Sequence, residues 1–348
     1  MAAKRISIED FLQLAQEHLV VDVRSPLEYQ HAHYQTSLSI PLFNDEERKI
    51  VGTTYKKQSR ENAIKIGLDY FGPKMKKMVE EVEVLLRQRN SKTLIVHCWR
   101  GGMRSGAVAW LLDIYGFKVY TLEGGYKKFR AWVLQQLSKD YKLKVLGGFT
   151  GSAKTETLKE LAKLNEHVID LEDLAIHKGS AFGSLGLPPQ CSTEQFENKL
   201  ALSLHHICQI KKEDDFIWVE SESQRIGNIN ITHTFYKQML ASPYCSLDIP
   251  FEERLNHIVE SYGKFDKQDI LNAIERIKKR LGGLETKNAI EYLMNDDLRS
   301  CFKILLAYYD KHYGKSSSEY HHEKIKITLP NTNALDNAKL ILKQLTTN

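Results

Sequence analysis

The residue types best suited to covalent chemistry meet at one point of the chain, where a cysteine follows an apolar run. Cys98 comes just after Thr93–Val96, and Arg104 lies six positions further on, which gives a Cys-x5-Arg spacing. In a loop between a strand and a helix, backbone N–H groups, the positive helix end and a guanidinium folded back over the loop favour a thiolate. The same loop binds a tetrahedral oxyanion. We therefore predict a catalytic Cys98 and an anion-binding loop made of Trp99, Arg100, Gly101, Gly102, Met103 and Arg104.

A second glycine-rich loop differs at one position from the phosphate-binding pattern G-x-x-x-x-G-K-[ST]. Backbone N–H groups of such a loop surround phosphates, its lysine reaches a terminal phosphate, and its hydroxyl residue can hold Mg²⁺. Ala153 stands where glycine is expected, and we expect it to adopt a right-handed conformation at the start of the helix. The predicted phosphate or diphosphate site comprises Gly148, Phe149, Thr150, Gly151, Ser152, Ala153, Lys154 and Thr155, with Mg²⁺ at Thr155.

Carboxylates follow two apolar runs downstream of this loop. Asp170 comes after one run, and Glu220 and Glu222 come at the end of another. Carboxylates at strand ends beside a phosphate loop can hold Mg²⁺ through water or contact the substrate. Each of them is equally compatible with an ordinary solvated carboxylate, so their role stays open at this stage.

The elements that must position these residues follow a strand, loop, helix, strand order, which is typical of parallel α/β sheets. Strands are predicted at Leu19–Val23, Thr93–Val96 and Val119–Leu122, and the pattern starts again at Lys144–Gly148. Later strands are predicted at His167–Leu171, Phe216–Glu220 and Lys324–Leu329, and helices are predicted at Met1–Gln16, Lys127–Ser138, Glu156–Leu164, Thr193–Lys212, Phe251–Ser261, Lys267–Leu281 and Thr286–His312. The sequence thus predicts two α/β domains, 1–138 and 139–348, the second with added helices.

Composition excludes several classes of protein. The 348 residues carry a formal net charge of +5, which permits a nucleic-acid partner without requiring one. The five cysteines include no C-x-x-C pair, which argues against a zinc knuckle or a thioredoxin-type redox pair. No uncharged apolar run approaches the ~18 residues that cross a bilayer, and the first residues contain no signal-peptide core. We therefore expect a cytoplasmic protein with no membrane contact.

The sequence resembles a known family in both halves. The segments Asp22–Pro26, Glu28-Tyr29, His33 and Ile40-Pro41 are similar to the opening motif of a rhodanese domain, in which Cys98 has the place of the sulfur-carrying cysteine. Ordinary single-domain rhodaneses have a loop one residue shorter, and the longer loop here matches cysteine phosphatases of related fold. Together with the phosphate loop and the segments 170–172, 177–183 and 220–223, these motifs resemble the tRNA 2-selenouridine synthases over essentially the whole chain.

This resemblance implies an N-terminal rhodanese-like domain, a P-loop NTPase-like domain and a two-step transferase activity on tRNA. In the family, the 2-thio group of a wobble uridine is alkylated from geranyl diphosphate, and selenium from selenophosphate then replaces the S-geranyl group. Cys98 matches the position that would carry selenium, and Trp99–Arg104 would hold selenophosphate. The loop Gly148–Thr155 would hold the diphosphate of the prenyl donor, with ATP as the competing ligand. The predicted tRNA contacts are Tyr55, Lys56, Lys57 and Arg60, among which Tyr55 could stack on the base.

Three other functions remain open from the sequence. A Cys-x5-Arg phosphatase joined to a nucleotide-binding domain would need a general-acid aspartate, for which no clear candidate exists. A rhodanese-type tRNA sulfurtransferase would use a persulfide at Cys98 and ATP at the second loop. A regulatory rhodanese module would have no reason to keep both Cys98 and Arg104.

Overall fold

The apolar run that ends at His97 forms the central strand of a five-stranded parallel sheet. The strand order is β1-β5-β4-β2-β3, and Leu94, Ile95 and Val96 on the central strand are completely buried. Because both faces of a parallel sheet are covered, its strands consist of continuous apolar runs. The strands are β1 (Lys4–Ile6), β2 (Leu19–Asp22), β3 (Leu38–Ser39), β4 (Thr93–His97) and β5 (Lys118–Leu122).

The helices of this part of the chain connect these strands or follow the last of them. They are α1 (Ile8–Leu14), α2 (Pro26–His31), α3 (Asp45–Lys57), α4 (Arg60–Phe71), α5 (Met75–Gln88), α6 (Met103–Tyr115) and α7 (Gly125–Gln136). The computed structural model describes residues 3–317, 320 and 324–347. Its chain forms two units, 1–135 and 136–348. We propose that the boundary between the two domains follows residue 138.

The second unit contains a parallel sheet of order β12-β11-β6-β8-β7 and a short antiparallel hairpin of β9 and β10. Its strands are β6 (Leu143–Gly148), β7 (His167–Ile169), β8 (Ile217–Glu220), β9 (Arg225–Ile226), β10 (Ile229–Asn230), β11 (Tyr244–Asp248) and β12 (Lys324–Thr328). Its helices are α8 (Lys154–Lys163), α9 (Leu171–Ala175), α10 (Thr193–Ile210), α11 (His233–Leu240), α12 (Phe251–Tyr262), α13 (Lys267–Leu281), α14 (Gly283–Met294), α15 (Leu298–Ser317) and α16 (Ala334–Thr347).

Two of the predicted helices are wrong in extent. The first residues do not continue a helix from Met1, because Lys4–Ile6 pairs with β5 and the helix begins only after Ser7, whose side chain accepts the amide of Asp10. The predicted helix 286–312 is two helices, since Asp296 adopts a left-handed conformation (φ 62°) that ends α14. Strand β11 was not predicted, although it pairs with both β6 and β12.

The second unit also has a separate helical core. Helices α12 to α15 pack around buried aliphatic and aromatic side chains such as Leu255, Ile274 and Phe302. These are the added helices that the sequence predicted. Among the described residues, no helix is long and apolar enough to cross a membrane.

Candidate active site

The loop after β4 is held tightly around the backbone of Cys98. The carbonyl of Cys98 accepts the amide of Tyr126 at 2.8 Å, and the carbonyl of Trp99 accepts the amide of Lys127 at 2.9 Å. Gly101 has a φ of +62°, and a Cβ there would lie 2.5 Å from the carbonyl oxygen of Leu122. This position therefore requires glycine, for its conformation and for the close backbone approach.

The thiol of Cys98 points into a small polar environment. Its Sγ lies 3.2 Å from the Ser105 hydroxyl oxygen, and that hydroxyl also lies 3.2 Å from the Gly102 carbonyl. Cys98 is 3% exposed. Gly102 directly precedes α6, so the first N–H groups of this helix lie at the loop, where they favour negative charge. A thiolate at Cys98 could thus accept a hydrogen bond from Ser105, a residue to which the sequence had assigned no role.

The guanidinium of Arg104 forms an ion pair with Glu28. Its Nη1 donates to Glu28 Oε2 at 2.6 Å and its Nη2 to Glu28 Oε1 at 3.4 Å. Burial alone would raise the pKa of Glu28, but the hydrogen bonds and charge of Arg104, with further help from Ser25 and Arg48, lower it to about 2. Glu28 is therefore a fixed carboxylate that holds the arginine of the Cys-x5-Arg motif.

A cavity of about 890 Å³ opens over Cys98 and is lined by the loop on one side and by α3 on the other. It brings together the predicted cysteine loop and three of the four predicted tRNA residues, although about 40 positions separate them in sequence. Lys57 is not part of its lining. The lining residues are Phe43, Arg48, Lys49, Val51, Gly52, Thr53, Tyr55, Lys56, Arg60, Cys98, Trp99, Arg100, Gly102, Met103 and Arg104.

The lining of this cavity is strongly cationic. It contains Arg48 and Lys49, which sequence reasoning missed, and Arg100, which is exposed. Within the described part of the chain, Lys49, Lys56, Arg60 and Arg100 have no carboxylate partner, whereas Arg48 and Arg104 share Glu28. Six cations and one carboxylate at one cavity favour a polyanionic guest.

The loop after β6 has the shape of a phosphate-binding loop, with one difference from expectation. Ala153 lies in the left-handed region (φ 52°, ψ 39°), so the expected right-handed conformation is wrong. This conformation costs an L-residue about 1–2 kcal/mol. Gly151 also has a positive φ of +79°, and a Cβ there would lie 2.8 Å from Ile258. The chain thus turns sharply at the loop before α8 begins at Lys154.

Functional groups of this loop face its own backbone and a carboxylate. Lys154 Nζ donates to the Gly148 carbonyl at 3.0 Å, and the Thr155 hydroxyl donates to Glu172 Oε2 at 3.0 Å. The Ser152 hydroxyl oxygen is buried and has no hydrogen-bond partner among the described residues. Glu172 was not among the predicted site residues, although it lies two positions after Asp170.

A buried arginine anchors the tip of the loop. Arg254 on α12 is 4% exposed, and its Nη1 donates to the Thr150 carbonyl at 3.1 Å. The same guanidinium forms a two-pronged ion pair with Asp310, at 2.9 and 2.8 Å, and lies over the Phe149 ring. The helical layer therefore fixes the shape of the phosphate loop, which no local sequence pattern indicates.

The predicted carboxylates gather beside Thr155. Glu220 Oε1 accepts the amide of Glu172 at 2.7 Å, Glu220 Oε2 has no hydrogen-bond partner among the described residues, and Asp170 Oδ2 lies 3.8 Å from Lys159 Nζ. Burial and the charges of Asp170 and Glu172 raise the pKa of Glu220 well above its ordinary value. Burial and the charge of Glu172 raise the pKa of Glu222 to about 8. Glu222 is therefore largely protonated at neutral pH.

Oxygen ligands of the kind that Mg²⁺ prefers are present at Thr155. The Thr155 hydroxyl and the Glu172 carboxylate lie together, and the unpartnered Glu220 oxygen lies in the same group. Over the described residues, no set of three or more His, Cys, Asp and Glu side chains is arranged to hold a metal ion. A Mg²⁺ ion at Thr155 would therefore take most of its ligands from phosphate and water, which suits this cation.

Comparisons with known proteins agree with this arrangement. A family model described as the tRNA 2-selenouridine synthase AAA domain matches residues 141–336, and a rhodanese-like domain model matches residues 7–131. The tRNA 2-selenouridine synthase of Sulfurovum sp. (strain NBC37-1) is 31% identical over 333 residues, which cover 88% of this chain and 89% of that protein. The enzyme of the same name from Shewanella frigidimarina (strain NCIMB 400) is 32% identical over 291 residues, which cover 78% of this chain and 77% of that protein.

Among solved structures, a rhodanese-related protein from Thermoplasma volcanium is 20% identical, with a TM-score of 0.23, and the match covers 38% of this chain and 92% of that one. The family matches confirm the predicted resemblance and the predicted fold class: a rhodanese-like parallel-sheet domain is followed by an α/β domain with a phosphate loop and added helices.

Proposed function

The chain belongs to the tRNA 2-selenouridine synthase family, and on that premise we propose that it converts 2-thiouridine to 2-selenouridine at the wobble position of tRNA, in the cytoplasm. The observation that carries the proposal is the cationic cavity over Cys98 in a chain that also has a phosphate loop. A thiol beside six cations suits chemistry on a polyanion, and a second phosphate loop suits a separate phosphorylated substrate.

The first step is proposed to take place at the loop Gly148–Thr155. The thione sulfur of the uridine attacks C1 of geranyl diphosphate, so that a C–S bond forms, the C–O bond breaks, diphosphate leaves and the N3 proton of the uridine is lost to solvent. Lys154 and the loop amides would neutralise the leaving charge. Mg²⁺, when bound at Thr155 and Glu172, would add to that neutralisation. Asp170, Glu220 and Glu222 lie around this position, and ATP is the competing ligand for the loop.

The second step is proposed to take place at Cys98. Selenium from selenophosphate adds at C2 of the S-geranylated uridine, the C–Se bond forms, the C–S bond breaks and geranylthiol leaves, while the phosphoryl group is transferred to water. Cys98 would contact the selenium without forming an S–Se bond, which would need an oxidant, and the loop Trp99–Arg104 would hold selenophosphate. Alkylation comes first because an S-alkyl thiol leaves more readily than thione sulfur does.

The tRNA is proposed to contact the α3 wall of the cavity. Tyr55 is 50% exposed and lies on this wall, so its ring is accessible to an unstacked base. Lys56 and Arg60 lie beside it and could bind the adjacent phosphates. Lys57, predicted with them, does not line the cavity.

Nucleoside mass spectrometry tests the two steps separately. tRNA that contains 2-thiouridine is incubated with geranyl diphosphate and then with selenophosphate. The reaction is run with the wild-type protein, with Lys154→Ala and with Cys98→Ala. We expect Lys154→Ala to lose S-geranylation, and Cys98→Ala to accumulate the S-geranyl nucleoside without selenium. Equal loss of both products in both variants would show that the steps are not divided between the two loops. If ATP does not inhibit geranylation, ATP does not compete for the loop Gly148–Thr155.

A further inference from the structure

One carboxylate joins two walls of the Cys98 cavity. Arg104 belongs to α6, directly after the cysteine loop, and Arg48 belongs to α3, on the opposite side. Glu28 on α2 accepts from both, at 2.6 Å from Arg104 and 3.4 Å from Arg48. Glu28 Oε2 also accepts the backbone amide of Ser25 at 3.1 Å, so the carboxylate itself is fixed.

The contact leaves part of the Arg104 guanidinium available. An arginine has five N–H groups in a rigid planar fork. Glu28 accepts a hydrogen bond from one N–H group of each terminal nitrogen of Arg104. The Arg104 side chain has no other partner among the described residues. Three N–H groups of Arg104 therefore remain for a guest, and their directions are set by the contact with Glu28.

We propose that Glu28 is a positioning residue that orients Arg104, and with it Arg48, toward an oxyanion bound at Cys98. The proposal rests on the proposed function of this cavity as the selenophosphate site, and it adds the residue that sets its affinity for a tetrahedral oxyanion. Glu28 does not touch the anion. It acts through the two arginines, which would otherwise lose their common anchor.

Two physical effects of Glu28 have opposite signs. Its negative charge repels an incoming anion, so on charge alone Glu28→Gln should tighten anion binding. Its contacts hold two long side chains that would otherwise sample many rotamers, so loss of positioning should weaken binding. Since each arginine carries a large rotamer entropy, we expect the second effect to dominate and the affinity to fall about tenfold.

Phosphate protection of Cys98 against iodoacetamide measures this affinity. Alkylation of the Cys98 peptide is followed by mass spectrometry at increasing inorganic phosphate, and the exposed Cys208 serves as the internal reference. The variants are Glu28→Gln and Glu28→Asp, and Glu46→Gln on the first turn of α3 is the matched control. Glu28→Asp keeps the charge but shortens the side chain, so it changes position alone.

We expect phosphate to protect Cys98 about tenfold less well in both Glu28 variants, and equally well in Glu46→Gln. Alkylation of Cys98 without phosphate should stay slow in all of these variants, because Cys98 remains buried unless the fold opens. A variant with fast basal alkylation is replaced in the comparison by Arg104→Lys, which keeps the positive charge but loses the planar guanidinium group. Unchanged or tighter phosphate binding in Glu28→Gln and Glu28→Asp would overturn the proposal, as would wild-type Cys98 that phosphate does not protect. If phosphate protects Cys98 as expected but the wild-type protein transfers no selenium, the result would count against the proposed function alone.

Discussion

Lys56 and Lys57 are adjacent, equally charged and both exposed, yet only Lys56 lines the cavity over Cys98. Replacement of either lysine by alanine removes the same charge from the same end of α3. If the cavity binds the tRNA backbone, Lys56→Ala should weaken binding and reduce its salt dependence, whereas Lys57→Ala should leave both nearly unchanged. This pair of variants separates a local contact from the general charge of the protein.

The structure sets the expected magnitude. Each phosphate contact on a single strand contributes about 0.7 to the slope of log affinity against log salt. Within the described residues, four cations of the cavity lack a carboxylate partner, namely Lys49, Lys56, Arg60 and Arg100, so the cavity should contribute a slope of up to about 2.8. Removal of Lys56 should lower the measured slope by about 0.7. The affinity ratio of wild type to Lys56→Ala should then shrink about 2.6-fold between 50 and 200 mM salt.

Fluorescence anisotropy of labelled tRNA, titrated at four or five potassium chloride concentrations, gives these slopes directly. Contacts elsewhere on the protein change the absolute slope of every variant equally, so the difference between Lys56→Ala and Lys57→Ala is the informative quantity. Equal slopes for the two variants would refute the assignment of the α3 wall to tRNA, and a larger change in Lys57→Ala would place the contact outside the cavity.

Three further predictions concern the second unit. Asp310→Asn leaves the buried Arg254 without its charged partner, so urea denaturation should show a loss of about 3 kcal/mol in the free energy of unfolding. Gly151→Ala forces a methyl group to within 2.8 Å of Ile258 at a φ of +79°, so it should abolish diphosphate binding by calorimetry even where circular dichroism shows a folded protein. The folded pKa of Glu222, about 8, exceeds its ordinary 4.5, so the stabilisation it gives is complete below about pH 4.5 and lost as the pH rises through 8. Urea titrations at pH 5.5 and 8.5 should therefore show a drop in wild type that Glu222→Gln reduces.

Sequence alone was sufficient for features that depend on local order along the chain. The run before Cys98 predicted a buried strand, and its glycines predicted a tight loop, because both follow from residue type and immediate neighbours. The phosphate loop was predictable for the same reason. The strand–loop–helix order around each loop then gave the α/β fold class.

Features that depend on distant partners were not predictable. Glu28 precedes Arg104 by 76 positions, and Arg254 follows Thr150 by 104, so no local pattern connects them. The left-handed Ala153 illustrates the same limit: an alanine favours a right-handed conformation by itself, and only the surrounding loop imposes the other one. Lys57 was grouped with Lys56 because they are neighbours in sequence, although successive residues of a helix point in different directions.

Both loops have the same local structure, in which a strand end is followed by glycines and the N-terminus of a helix. The charges around the two loops differ in sign. Around Cys98 cations outnumber the single carboxylate Glu28, so an anion is attracted there without any added charge. Around Thr155 carboxylates predominate, and the raised pKa of Glu220 shows how strongly that environment disfavours further negative charge. A diphosphate can therefore bind the second loop only together with protons or a cation that offset these carboxylates. The loop motif makes anion binding available at both sites, and the carboxylates supplied by distant strands determine at which of the two the charge of a bound anion must be offset by protons or a cation.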